Sequence, residues 1–185
     1  MSLASKKYSF ALIEIAKQNN MLDEIYEEFK IIVTELTQQA DIWSLMNIPS
    51  IETSQQKKLI NTIFGDDINQ YLYNFLMILF DKNRFNELEF IFLAFKDYYL
   101  SEKNTLEASI LSVNELSEEH MKLIQVKLEK RYKKNILITN KLDESILGGL
   151  IVYVGDQVID GSIKSQLNNM KHELKELRLQ ELGVN

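Results

Sequence analysis

The residues best suited to loop chemistry are the glycines and aspartates of 148–163, which read GGLIVYVGDQVIDGSI. A phosphate cradle needs a Lys and a Ser or Thr directly after its last glycine, or glycines at GxGxxG spacing, and neither pattern is present. A calcium loop fits only in part. Asp156, Asp160 and Gly161 fall at its first, fifth and sixth positions, but the third is Val158 and the twelfth is Leu167, which offer no side-chain oxygen. His120 and His172 stand far apart, neither at metal-ligand spacing to a carboxylate cluster. Cysteine is absent, which removes a thiolate nucleophile and a Cys-based zinc site. No Ser, His and Asp constellation suggests a nucleophile. The basic run Lys127, Lys130, Arg131, Lys133 and Lys134 is the best argument for nucleic acid, yet cations at a helix C-terminus already favour the negative end of the dipole. A net charge of -6 opposes binding by phosphate neutralisation. No nucleic acid, cofactor or metal is expected.

The same 148–163 stretch reads better as a device for shape. Gly148 and Gly149 can adopt backbone angles closed to other residues. Residues 150–154 form a short apolar, β-branched run, and Gly155-Asp156 suits a two-residue hairpin loop with glycine where φ is positive. Residues 157–160 return, and Asp160, Gly161 and Ser162 turn the chain into a last helix. That helix carries Ile163, Leu167, Met170, Leu174 and Leu177 at the four-three spacing of a coiled-coil seam. The first three are expected to cover the hairpin's sheet, leaving Leu174 and Leu177 for a partner helix. Upstream, Leu106, Ala108 and Ile110 alternate with polar residues as a strand does, Ser117 caps a helix with Glu118 and Glu119 in its first turn, and Ile136 and Ile138 mark another strand.

Residues 1–103 carry helical periods instead. Tyr8, Ala11, Leu12 and Ile15 form one stripe, with Phe10 and Ile13 off it, so the first helix is apolar on more than one side. Leu22, Ile25, Phe29, Ile32 and Leu36 form the next face, and the short Asn19-Asn20 connection predicts antiparallel packing of these two helices. Pro49 stops a brief segment holding Trp43, Leu45 and Met46. Thr53 with Gln56 reads as a capping box, and Asp66 or Asp67 as the cap of a helix carrying Leu72, Phe75, Leu76, Leu79 and Phe80. Leu88, Ile91, Phe92, Phe95 and Tyr99 follow. The expectation is an all-α helical bundle of about six helices at 1–103 and a small α+β domain at 104–185 with a terminal amphipathic helix. No apolar run approaches the roughly 18 residues that span a bilayer, so any membrane association must pass through partners.

The C-terminal motif GGLIVYVGDQVIDGSIKSQL resembles the signature of the delta subunit of bacterial F-type ATP synthase, a family related to the mitochondrial oligomycin-sensitivity-conferring protein. The matching residues are Gly148, Gly149, Val152, Gly155, Asp156, Asp160, Gly161, Ser162 and Leu167. Tyr8, Ala11, Leu12 and Ala16 resemble the family's Tyr-Ala-x-Ala-Leu opening, with Ser9 where the family more often has Ala. Asn83-Arg84 is a third match. The resemblance implies a non-catalytic stator subunit on the cytoplasmic face of the bacterial cell membrane, peripheral to it. It would hold the N-terminal helix of an alpha subunit of the catalytic head and the C-terminal end of the b subunit of the peripheral stalk. Helix-in-groove binding needs an apolar trough. The stripe Tyr8, Ala11, Leu12 and Ile15 paired with Leu72, Leu76 and Leu79 is the expected alpha-subunit groove, with Leu174 and Leu177 as the stalk-docking residues. A helical adaptor of another multiprotein assembly would share such grooves. An enzyme would instead need a polar pocket with a perturbed acid or base.

Overall fold

A computed structural model describes residues 2–48, 51–65 and 68–171. The chain divides into two compact units, Met1–Lys103 and Asn104–Asn185. The first holds helices α1 (Leu3–Gln18), α2 (Leu22–Gln38), α3 (Ala40–Asn47), α4 (Thr53–Phe64), α5 (Gln70–Asp81) and α6 (Leu88–Glu102), with a 3-10 turn at Phe85–Glu87 before α6. Its core centres on α2, whose Ile25, Phe29, Ile32 and Leu36 are buried as their spacing requires. Phe29 meets Phe75, Phe92 and Phe95 edge-on at 6.0, 5.1 and 5.7 Å between ring centres, a favoured aromatic geometry.

The principal neighbour of α1 is α6 rather than α2. Side-chain pairs set the direction: Ser5 meets Glu87, Ser9 meets Ile91 and Lys17 meets Glu102, so α1 and α6 run parallel. The buried face of α1 is Ser5, Ser9, Leu12, Ile13 and Ala16, and its small residues admit a close approach. The Ser9 hydroxyl lies 2.6 Å from the Ile91 carbonyl and 2.7 Å from its own helix's Ser5 carbonyl. The serine that stands where an alanine was the family expectation thus ties two helices by a bond alanine cannot make. A short connection made α2 the expected partner, but the size of the side chains on the apolar face decides which helix comes closest.

Helix ends follow local chemistry. The N-terminus of α5 is capped by Asn69, whose side chain accepts from the Tyr71 N–H at 2.9 Å. Asp66 and Asp67, expected in that role, lie outside the described residues, as does Pro49. The capping box at Thr53 is not formed. Glu52 precedes α4 without a side-chain cap, and the Gln56 amide instead donates to the Met46 carbonyl at 3.0 Å, fastening α4 to α3. The C-terminus of α5 closes on Asn83, held at a φ of 53°. There the Asn83 N–H reaches the Phe80 carbonyl at 2.9 Å and the Arg84 N–H reaches Leu79 at 2.8 Å, the paired bonds of a Schellman motif. The Asn83-Arg84 motif is therefore a helix stop that aims an arginine.

The second unit is a four-stranded mixed sheet in the order β2-β1-β3-β4, from β1 (Thr105–Ser112), β2 (Asn135–Leu142), β3 (Leu150–Val154) and β4 (Gln157–Asp160). Helix α7 (Glu118–Tyr132) makes the crossover that parallel β1 and β2 require. Ser117 caps it, accepting from the His120 N–H. Ala108, Ile110, Ile136, Val152 and Val154 form the core with Leu128 of α7. The alternation at 106–110 and the hairpin at 150–160 are found where the residue pattern puts them. This is the expected helical bundle followed by a small α+β unit. One expectation fails. Ile163, Leu167 and Met170, on the helical segment 163–171, do not cover the sheet and stay 45%, 57% and 58% exposed. The face of the sheet that carries Ala108, Ile110, Val152 and Val154 is packed against α7, and on the other face Lys164, Ser165 and Asn168 of this segment, not its apolar row, line a cavity with Leu111, Ile151 and Tyr153.

A candidate helix-binding groove and a turn that shapes the C-terminal unit

Helices α1 and α5 lie antiparallel. Tyr8 meets Phe75 edge-on at 6.3 Å, and Asn19 at the end of α1 accepts from the hydroxyl of Tyr71 near the start of α5 at 3.1 Å. At the opposite end Arg84, just past α5, lines one cavity with Leu3, Ala4, Lys7, Tyr8 and Ala11. The expected groove residues divide between surface and core. Tyr8 is half-buried, Ala11 is exposed and Ile15 is 38% exposed. Leu12, Leu72, Leu76 and Leu79 are core residues, the last three at 0% exposure, and no partner can touch them. The α5 side of the trough is instead the adjacent stripe, where Tyr71 and Ile78 are exposed. Each precedes a buried leucine, Leu72 or Leu79, by one position, so α5, like α1, is apolar on two sides. That double pattern was the signal for Tyr71 and Ile78, and the leucines obscured it.

The near end of α1 is pinned by Glu87. Its carboxylate accepts from the hydroxyls of Ser2 and Ser5 and from Arg84 Nη1, the last two at 2.7 and 2.6 Å. Ser2 is also the N-cap, accepting from the Ser5 N–H at 3.0 Å. The two serine hydroxyls, with Arg84 beside them, hold the Glu87 carboxyl below the usual carboxylate range. A carboxylate with a depressed pKa stabilises the fold above its unfolded pKa of about 4.3, and that contribution disappears as pH falls through the lower folded value. Melting curves recorded from about pH 5 down to about pH 3 should therefore drop more steeply for the wild type than for Glu87→Gln. Parallel curves would refute this assignment. At the far end Tyr99 stacks on Tyr26 at 3.9 Å and donates to Asp23 at 2.9 Å. Burial, with Asp23 adding to it, pushes the Tyr99 hydroxyl up to about 12.

In the second unit the glycine-aspartate stretch builds a turn. Gly148 and Gly149 have φ of 151° and 80°, and Gly155 opens the hairpin loop at 55°. A Cβ on Gly149 would run into the Gly161 carbonyl oxygen and stand 3.0 Å from Ser162 Cα. Asp160 accepts from the Ser162 N–H at 2.8 Å, and Ser162 accepts from the Ser165 N–H at 3.2 Å, capping the next helix. The Ser162 hydroxyl, then its N–H, lowers the Asp160 pKa. The Gly161 N–H reaches Leu150 and the Ile163 N–H reaches Gly148, each at 2.9 Å. Asp156 sits exposed at the hairpin tip. Leu174, Leu177 and His172 lie outside the described residues. Among the described residues no three His, Asp or Glu side chains converge as a metal site, and no helix is long and apolar enough to cross a membrane.

The family model described as ATP synthase delta (OSCP) subunit matches residues 4–174. The ATP synthase subunit delta of Clostridioides difficile (strain 630) is 32% identical over 178 residues, 96% of this chain and 98% of that one. That of Clostridium beijerinckii is 36% identical over 166 residues, 90% and 93% of the two chains. A chain in the Toxoplasma gondii mitochondrial ATP synthase hexamer shares the fold at a TM-score of 0.76, with 18% identity, over 94% of this chain and 98% of its own. The relatives span both units and the turn between β4 and the last helical segment. The chain belongs to the ATP synthase delta (OSCP) subunit family, and it is a non-catalytic subunit of the stator, the peripheral stalk, of an F-type ATP synthase.

Proposed function

We propose that the first unit receives the N-terminal helix of an alpha subunit of the catalytic head in the trough between α1 and α5, and that the second unit docks the C-terminal end of the membrane-anchored b subunit. The protein then works by binding other subunits of the synthase. It lies on the cytoplasmic face of the bacterial cell membrane and meets the membrane only through the complex. Rotation of the central stalk pushes sideways on the head, and a brace tied at both ends holds the head still so that the rotor's work reaches nucleotide.

The observation that carries this reading is the exposed apolar stripe of α1 facing that of α5. Along the seam marked by the Tyr8–Phe75 and Asn19–Tyr71 contacts, α1 leaves Ala11 and Ile15 exposed and α5 leaves Tyr71 and Ile78 exposed. From Ala4 to Ile15 an α-helix rises about 16 Å, enough for roughly three turns of a partner helix. For the stalk, the support is the uncovered row Ile163, Leu167 and Met170, whose spacing Leu174 and Leu177 continue in the sequence. Calorimetric titration of the full chain with a synthetic peptide of the alpha-subunit N-terminus should give low-micromolar binding or tighter, about -8 kcal/mol or better. Ala11→Trp, at an exposed site, should abolish that binding without altering the melting temperature. A wild-type chain that ignores the peptide would end this reading.

A further inference from the structure

The trough is not uniformly apolar. Lys7 and Arg84 line the same cavity at one end of it, beside Tyr8 and Ala11. Lys7 makes no hydrogen bond or ion pair among the described residues. Arg84 is differently placed. The Schellman turn at Asn83 fixes its backbone, and Glu87 takes one guanidinium nitrogen, Nη1, at 2.6 Å. Glu87 is itself occupied by the hydroxyls of Ser2 and Ser5, so it is held in place rather than free to cross the trough. The rest of the guanidinium fork has no partner among the described residues. The opposite end of the trough differs in character: the Tyr71 hydroxyl donates to Asn19 there, and Asn69, which caps α5 beside Tyr71, donates to the carboxylates of Glu24 and Glu28. A partner helix lying in the trough therefore meets Lys7 and Arg84 at one end, and at the other the Asn19–Tyr71 pair with the Glu24 and Glu28 carboxylates close by.

We propose that the Lys7–Arg84 end reads a carboxylate: the amphipathic helix that fills the trough carries an Asp or Glu at the edge of its apolar stripe, and this acid pairs with Lys7 while Arg84 orients it. The inference rests on the trough being the alpha-subunit site. Apolar residues spaced three and four apart could settle in the trough in several registers shifted by one turn, all with similar buried area. A single charge contact at one end makes one register better than the others, which is the use that polar contacts serve at otherwise apolar helix interfaces. An arginine fork already tied on one side presents its remaining donors in a fixed direction, suited to a carboxylate. The lysine supplies a mobile point charge beside it.

The test is a titration of the full chain with the alpha-subunit N-terminal peptide and with variants in which each Asp or Glu is replaced in turn by Asn or Gln. Lys7→Gln should weaken binding about threefold, and Lys7→Glu about tenfold, the scale of partly exposed charge pairs. Lys7 is exposed, so both variants should melt with the wild type. The wild-type affinity should fall as salt is raised, and Lys7→Gln should flatten that dependence. One acid of the peptide should reproduce the Lys7→Gln loss without adding to it, and the same position changed to Lys should bind Lys7→Glu better than it binds the wild type. If Ala11→Trp abolishes binding while the Lys7 variants and salt leave it unchanged, the trough stands and the charge reading is refuted. If every acid of the peptide is dispensable, the charge reading is likewise refuted. If the wild type binds no peptide at all, both fall together.

Discussion

Phe29→Ala should unfold the first unit about 12–40 °C below the wild type and leave the second where it was. Phe29 is fully buried and is ringed edge-on by Phe75 of α5 and by Phe92 and Phe95 of α6. Truncation removes the transfer free energy of the ring, opens a cavity that three rigid aromatic rings cannot collapse into, and breaks three aromatic pairs. Buried Phe→Ala changes cost about 3–5 kcal/mol. In a unit of this size each kcal/mol moves the melting temperature by about 4–8 °C. Because the two units have separate cores, the melt should split into two transitions followed by far-ultraviolet circular dichroism, with most of the lost helical signal in the earlier one. Binding of the alpha-subunit peptide should vanish above the first transition. A single shifted transition, or a shift of only about 5 °C, would show that Phe29 is not the keystone described here.

Gly149→Ala should do the converse, destabilising the second unit by about 3 kcal/mol and sparing the first. Two effects add. At a φ of 80° an alanine carries the left-handed penalty of about 1–2 kcal/mol. Its methyl would also press on backbone, the Gly161 carbonyl and Ser162 Cα, where no flexible side chain can swing aside. Overpacking of that kind costs about 1–3 kcal/mol. Relieving it means pulling apart the Leu150–Gly161 and Gly148–Ile163 hydrogen bonds that join β3 to the start of the last helical segment. Gly155→Asn is the control. Gly155 also has a positive φ, 55°, but nothing stands within 4 Å of its would-be Cβ, and asparagine tolerates that conformation. It should shift the melt by well under 1 kcal/mol. Equal effects from the two substitutions would mean that conformational strain alone, and not the close approach at Gly161, explains the glycine at 149. If the second unit docks the stalk as proposed, Gly149→Ala in assembled synthase should leave ATP hydrolysis by the head intact and uncouple it from proton movement.

Local chemistry was legible from residue order. The alternation of Leu106, Ala108 and Ile110, the hairpin at Gly155-Asp156 and the Ser117 cap all depend on residues a few positions apart, so the sequence states them directly. The turn residues Asp160, Gly161 and Ser162 do in the structure what their types suggest, for the same reason. The helix caps show where even local reading is ambiguous: Thr53 and Asn69 both offer side-chain oxygens, but α4 starts one residue earlier, from Glu52, whose carbonyl takes the Gln55 and Gln56 N–H groups, so Thr53 lies inside the helix and only Asn69 caps.

What sequence alone determined, then, is the type and order of the elements, the family signature and the chemistry of the turns. What only the tertiary structure decided is which side of each two-sided helix faces in. Both stripes of α5 are apolar, and competition among α2, α6 and α1 for the core buried Leu72, Leu76 and Leu79 and left Tyr71 and Ile78 outside. The same competition set α1 on α6, through the small faces of Ser5, Ser9 and Ala16, and brought Lys7 beside an arginine 77 positions away. Hydrophobic burial has no direction of its own and depends on the area removed from water, so a periodic pattern names the candidate faces while long-range packing chooses between them.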